Sequence, residues 1–187
     1  TIIHTTNGGA TWASQSSGIR EDLYSVAFAN ANNGIVVGGT GAILRTTNGG
    51  ASWSLQNSGT TENLYGVSFG SAATGFAVGG FISSAIVKTT DGGTTWARQA
   101  GGISTFLTSV SATDSLRATA VGFDGTIIRT TNGGETWIQQ SSGVSTVLYG
   151  VCFVDANNGY AVGPGGILCT TNGGNSWVIQ TSPNTGG

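Results

Sequence analysis

The sequence predicts an all-β chain, folded as a β-propeller of four-stranded antiparallel blades. Three observations lead there. A five-residue string recurs at a nearly fixed interval, every tryptophan follows that string at one register, and each interval holds four short apolar runs broken by glycine. The string Thr-Thr-Asn/Asp-Gly-Gly begins at Thr5, Thr46, Thr89, Thr130 and Thr170, at intervals of 41, 43, 41 and 40 residues. The five tryptophans of the chain are Trp12, Trp53, Trp96, Trp137 and Trp177. Four strands in about 42 residues is the period of a propeller blade.

The strands follow in order. Strand a reads Leu23-Tyr24-Ser25-Val26-Ala27-Phe28, Leu64-Tyr65-Gly66-Val67-Ser68-Phe69 and Leu148-Tyr149-Gly150-Val151-Cys152-Phe153. A degraded copy spans Leu107 to Ala112, with Thr108 and Ala112 in place of Tyr and Phe. Strand b reads Gly34-Ile35-Val36-Val37-Gly38, Gly75-Phe76-Ala77-Val78-Gly79, Ala118-Thr119-Ala120-Val121-Gly122 and Gly159-Tyr160-Ala161-Val162-Gly163. Strand c is of the type Ile-Leu-Arg-Thr-Thr, and strand d of the type Thr-Trp-x-x-Gln. Short runs rich in Val, Ile, Phe, Tyr and Trp between Gly, Asn, Asp and Ser clusters read as strands. Glycine interrupts every window before a helix could complete three turns.

Strands c and d occur five times, a and b four times. The units are residues 1–20 (a half unit), 21–61, 62–104, 105–145 and 146–187, forming one domain over 1–187. Residues 181–187 fall where a linker to another strand a would lie. The count fits either a five-bladed ring lacking two strands or an arc of a larger ring. Strand edges left unpaired invite pairing with other chains. The first fifteen residues are therefore expected to be covered by another polypeptide or a neighbouring copy.

Composition narrows the function classes. Only 7% of the 187 residues are charged and the net charge is −2, against about 25% charged residues in a typical soluble domain. That disfavours nucleic acid, whose phosphates need Lys and Arg. No run of 18 or more apolar residues marks a membrane-spanning helix. Two cysteines, Cys152 and Cys169, are too few for a disulfide framework. With strand b between them they stand roughly 9–10 Å apart, beyond disulfide reach.

The turn chemistry has a physical reading. Asn or Asp accepts backbone amide hydrogens ahead of it, and the glycines tolerate positive φ. The tryptophan is expected to fold back and bury its ring at all five turns. The turn residues are Asn7, Asn48, Asp91, Asn132 and Asn172, paired with Trp12, Trp53, Trp96, Trp137 and Trp177. A neutral amide at four of the five argues against a metal there. No cofactor is expected.

The Thr-Thr-Asn-Gly-Gly-x-x-Trp hairpin resembles the Asp-box, or bacterial neuraminidase repeat. The whole pattern, with Leu-Tyr-x-Val and Ala-Val-Gly, resembles the photosystem II stability and assembly factor-like propellers. Asn-rich copies such as Asp155-Ala156-Asn157-Asn158-Gly159-Tyr160-Ala161-Val162-Gly163 resemble repeats of large secreted or surface bacterial proteins. The resemblance implies a non-catalytic, extracytoplasmic propeller that docks a protein partner. Two departures stand out. The photosynthetic factors resemble a seven-bladed ring with a basic docking patch; this chain has four and a half units, and Lys and Arg total six.

One position could echo that patch. His4, Arg45, Lys88, Arg129 and Cys169 each precede a Thr-Thr pair. They form a candidate docking belt, or else polar side chains at strand ends that reach solvent. A carbohydrate-binding or adhesive surface is the alternative function. A glycosidase related to sialidases is more remote, since such chemistry needs paired carboxylates. The eight acids, Glu21, Asp22, Glu62, Asp91, Asp114, Asp124, Glu135 and Asp155, fall mostly in turns. The single histidine sits in a repeat hairpin, unsuited to a nucleophilic triad.

Overall fold

Antiparallel meanders of a, b, c and d strands build the chain, as the repeat pattern dictates. The computed structural model describes residues 1–180. The sequence-predicted linker at 181–187 lies outside the described residues. A two-stranded half-sheet comes first: β1 (Ile2–His4) and β2 (Ala13–Gln15). Four four-stranded sheets follow. The first blade holds β3 (Leu23–Phe28), β4 (Gly34–Gly38), β5 (Ile43–Thr46) and β6 (Ser54–Gln56). The second holds β7 (Leu64–Phe69), β8 (Gly75–Gly80), β9 (Ser84–Thr89) and β10 (Ala97–Arg98). The third holds β11 (Leu107–Ala112), β12 (Ala118–Gly122), β13 (Ile127–Thr130) and β14 (Ile138–Gln140). The fourth holds β15 (Gly150–Phe153), β16 (Gly159–Gly163), β17 (Gly166–Thr170) and β18 (Val178–Gln180).

The core lies between blades. Strand b turns its second and fourth side chains toward the next blade. Ile35 and Val37 of the first blade pack with Leu64, Val67 and Trp96 of the second. Phe76 and Val78 repeat this against Leu107, Val110 and Trp137 of the third. Val121 does so against Leu148 and Trp177 of the fourth. Each interface thus removes a set of apolar side chains from water, at about 25 cal/mol per Å².

Strand a is the inner edge of each sheet, so its outward amides need partners. Serines of the preceding blade supply them. Ser68 Oγ accepts from Ala112 N at 3.0 Å and Ser111 Oγ from Phe153 N at 3.0 Å, while Ser109 Oγ accepts from Val151 N at 3.3 Å. Gly66 permits the close approach of two such strands: a Cβ there would stand 3.0 Å from Ser109 Cα.

Burial of all five tryptophans is not what the structure shows. Trp96, Trp137 and Trp177 are each 9% exposed, Trp53 is half-buried, and Trp12 is 58% exposed. The cause is the packing order. A tryptophan is covered by strand b of the preceding blade, and often by a phenylalanine at the end of its own strand a. Trp53 has Phe28, at 6.2 Å between ring centres, but the half-sheet before it has no strand b. Trp12 has neither neighbour. At the other end Tyr160, Val162 and Ile167, which match the buried Ile35, Val37 and Ile43, are exposed. Among the described residues both end faces are open, so these residues form an arc rather than a closed ring.

Candidate functional site

The five turns are fixed by their own side chains. Thr46 Oγ1 accepts from Gly50 N at 2.9 Å and donates to Asn48 Oδ1 at 2.9 Å. Asn48 Oδ1 also accepts from Ser52 N, and its Nδ2 donates to Ser52 Oγ, both at 2.9 Å. Gly49 and Gly50 sit at φ 68° and 91°, which only glycine adopts freely. The set repeats at Asn7, Asn132 and Asn172. At Asp91 the donor reverses: Thr95 Oγ1 donates to the carboxylate at 2.6 Å. That bond, with the Thr95 and Thr94 amides and the Thr89 hydroxyl, lowers the Asp91 pKa to about 2.

Arg45, Lys88 and Arg129 of the candidate belt reach from one blade toward the turn of the next. Arg45 Nε donates to Gly92 O at 2.9 Å, and Arg129 donates to Asn175 Oδ1 at 3.2 Å. Lys88 Nζ lies 5.9 Å from the centre of the Phe76 ring and beside Gly133 of the third-blade turn. His4 borders the turn glycines Gly49 and Gly50. Cys169 is half-buried on β17. All five are only partly exposed, and Arg45 and Arg129 act as ties between blades.

A different surface gathers at the opposite end, where the b–c turns and d–a linkers lie. Tyr65, Gly80, Phe81, Phe106, Thr108, Phe123 and Tyr149 line a basin of about 460 Å³. It opens because the second position of strand a is Thr108 in the third blade, between Tyr65 and Tyr149 of its neighbours. The Thr108 hydroxyl is within hydrogen-bonding reach of the carbonyls of Val121 and Leu148, which holds the small side chain against the strands. Phe106 and Phe123 meet edge to face at 5.8 Å and 76°. The Tyr65 hydroxyl accepts from Asn63 Nδ2 at 3.1 Å, and Asn63 Oδ1 accepts from Thr40 N at 2.9 Å.

One rim of the basin is an apolar loop held by a carboxylate. Glu62 Oε2 accepts from Phe81 N at 2.6 Å and Ile82 N at 2.9 Å. Glu62 Oε1 accepts from Ser83 N at 3.2 Å and Ser83 Oγ at 3.0 Å. These bonds, led by the Ile82 amide, hold its pKa below the ordinary carboxylate value despite burial. The loop they fix leaves Phe81 68% and Ile82 84% exposed. Apolar side chains held in water on a fastened backbone make this rim a candidate interaction surface.

Sequence reading missed this basin, although two signals were present. The 43-residue interval marks an insertion, which the structure places in the b–c turn of the second blade. Thr108 in a tyrosine position marks the opening.

No protein-family profile matches the chain, and no curated protein matches it. Solved structures do. YCF48 bound to a D1 peptide aligns at TM-score 0.69 and 20% identity, over 87% of this chain and 55% of that one. YCF48 from Cyanidioschyzon merolae aligns at TM-score 0.66 and 22% identity, over 87% and 58%. The GH74 xyloglucanase from Xanthomonas campestris aligns at TM-score 0.71 and 15% identity, over 92% and 34%. The chain therefore spans little more than half of the YCF48 structures and about a third of the xyloglucanase. At these identities the likeness establishes a propeller fold.

Proposed function

We propose that this chain is a non-catalytic protein-binding propeller, and that the basin between Tyr65 and Tyr149 is where it takes an apolar polypeptide segment. The observation that carries the reading is the Phe81–Ile82 loop, apolar, exposed and fastened by Glu62. Preorganised aromatic contacts bind with little ordering cost. The alignment with a YCF48 bound to a D1 peptide supports a polypeptide ligand.

A carbohydrate surface is the second reading, favoured by the aromatic rings of the basin and by the GH74 alignments. Hydrolysis would need two carboxyl groups facing a cleft. Beside the basin, the Glu62 oxygens are already held by the 81–83 loop.

Selection of a random peptide library on the immobilised chain tests the reading, with Phe81→Ser as counter-target. The expected result is enrichment of apolar sequences that bind wild type and lose binding to Phe81→Ser. Enrichment insensitive to that change, or binding on a glycan array that Phe81→Ser abolishes, would refute it.

A further inference from the structure

The basin is the place of a side chain that the repeat leaves out. The second residue of the Leu-Tyr-x-Val run is Tyr24, Tyr65 and Tyr149 in the first, second and fourth blades, and Thr108 in the third. Where two blades in succession both carry the tyrosine, the rings touch. Tyr24 and Tyr65 meet at 5.1 Å between centres, tilted by 44°. By that spacing a ring in the third blade would meet Tyr65 on one side and Tyr149 on the other. Thr108 supplies no ring, and its hydroxyl is turned onto the carbonyls of Val121 and Leu148. Tyr65, Thr108 and Tyr149 therefore line one open basin, and Tyr149 is left 63% exposed.

Charge around the basin has one sign. The segments that build it, 61–65, 80–83, 105–108, 123–125 and 147–149, carry two carboxylates, Glu62 and Asp124, and no cation. Asp124 is exposed and adjoins Phe123 of the lining. A segment entering here is favoured by a positive charge beside its anchor and opposed by a negative one.

Resting on the reading of the basin as a polypeptide site, we infer that it seats one aromatic side chain of the partner, flanked there by a lysine or arginine. The ring takes the place that Thr108 leaves, against Tyr65 and Tyr149. Tyr24 on Tyr65 is the same contact made within the chain. A buried aromatic anchor is the kind of residue on which binding energy concentrates. An aliphatic anchor fills the space but forfeits the attraction between rings.

The experiment titrates the chain with three N-acetylated peptide amides, Gly-Tyr-Lys-Gly, Gly-Leu-Lys-Gly and Gly-Tyr-Glu-Gly, and follows the Thr108 and Tyr149 amides by NMR. The expected result is saturable shifts with the tyrosine–lysine peptide, and binding weaker by about fivefold or more when leucine or glutamate is substituted. Thr108→Tyr restores the residue of the neighbouring blades, fills the seat from within and abolishes the binding. Thr108→Val removes the hydroxyl, leaves the seat open and keeps the binding. The peptide comparison on the wild-type chain stands even where Thr108→Tyr fails to fold. Phe81→Ser reads the proposed function separately. Leucine binding as tightly as tyrosine, with both weakened by Phe81→Ser, overturns the aromatic seat and leaves the polypeptide reading in place. A tyrosine preference that Thr108→Tyr abolishes and Phe81→Ser does not touch keeps the seat and counts against that reading. Equal binding of the lysine and glutamate peptides, or no shift with any peptide at millimolar concentration, overturns the inference.

Discussion

The rings of Phe76 and Trp137 meet edge to face at 5.7 Å and 90°, and they belong to different blades. This contact shows how the repeat works: the turn of one blade is finished by strand b of the blade before it. Stability at a tryptophan therefore follows what precedes it. Trp137→Ala is expected to cost about 3–5 kcal/mol, as for other buried aromatics. Trp53→Ala should cost less, and Trp12→Ala under about 0.5 kcal/mol, the range for exposed positions. Urea unfolding of the three variants checks the order; equal losses would contradict it.

Glu62→Gln replaces an acceptor oxygen by an amide that faces N–H donors. The expected cost is about 1–3 kcal/mol, read by urea unfolding, with faster amide exchange at Phe81, Ile82 and Ser83. An unchanged loop would mean that the carboxylate does not hold it.

Asp91 makes a pH prediction. Its pKa falls from an ordinary value near 3.8 to about 2 on folding. A lowered folded pKa gives stability that is present above pH 4 and is lost as pH falls from there toward 2. Asp91→Asn, which restores the residue found at the other four turns, should flatten stability across that window. The flattening is partial, because hydrogen bonds also lower Glu62, Asp114 and Asp155. An unchanged acid limb would sink this assignment.

Neither cysteine should be bonded to the other. Cys152 and Cys169 each pair across the sheet with Tyr160, one on either side. Two strand spacings of roughly 9–10 Å separate them. Thiol counting in denaturant without reductant should find two groups per monomer.

Much of this was legible because repetition makes local chemistry redundant. The Thr-Thr-Asn-Gly-Gly turns and the a–d strand order could be read from spacing alone. The exposure of Trp12 could not, since it depends on which blade is absent beside it. Nor could the inter-blade role of Arg45 and Arg129, whose partners Gly92 and Asn175 lie 47 and 46 residues away. The basin was hidden for the same reason: Tyr65, Phe106 and Tyr149 come from three blades, and Glu62 reaches forward to residues 81–83.

The central claim is that the basin holds a polypeptide. Its most direct test is 19F NMR of the chain carrying fluorinated phenylalanine and tyrosine, titrated with a peptide from the library selection and, separately, with xyloglucan oligosaccharides. The account predicts shifts at Phe81, Phe106, Phe123, Tyr65 and Tyr149 with the peptide, none at Phe28 beside Trp53, and none anywhere with the sugar. Shifts at the basin produced by the oligosaccharide, or peptide-induced shifts that spare Phe81 and Phe123, would contradict it.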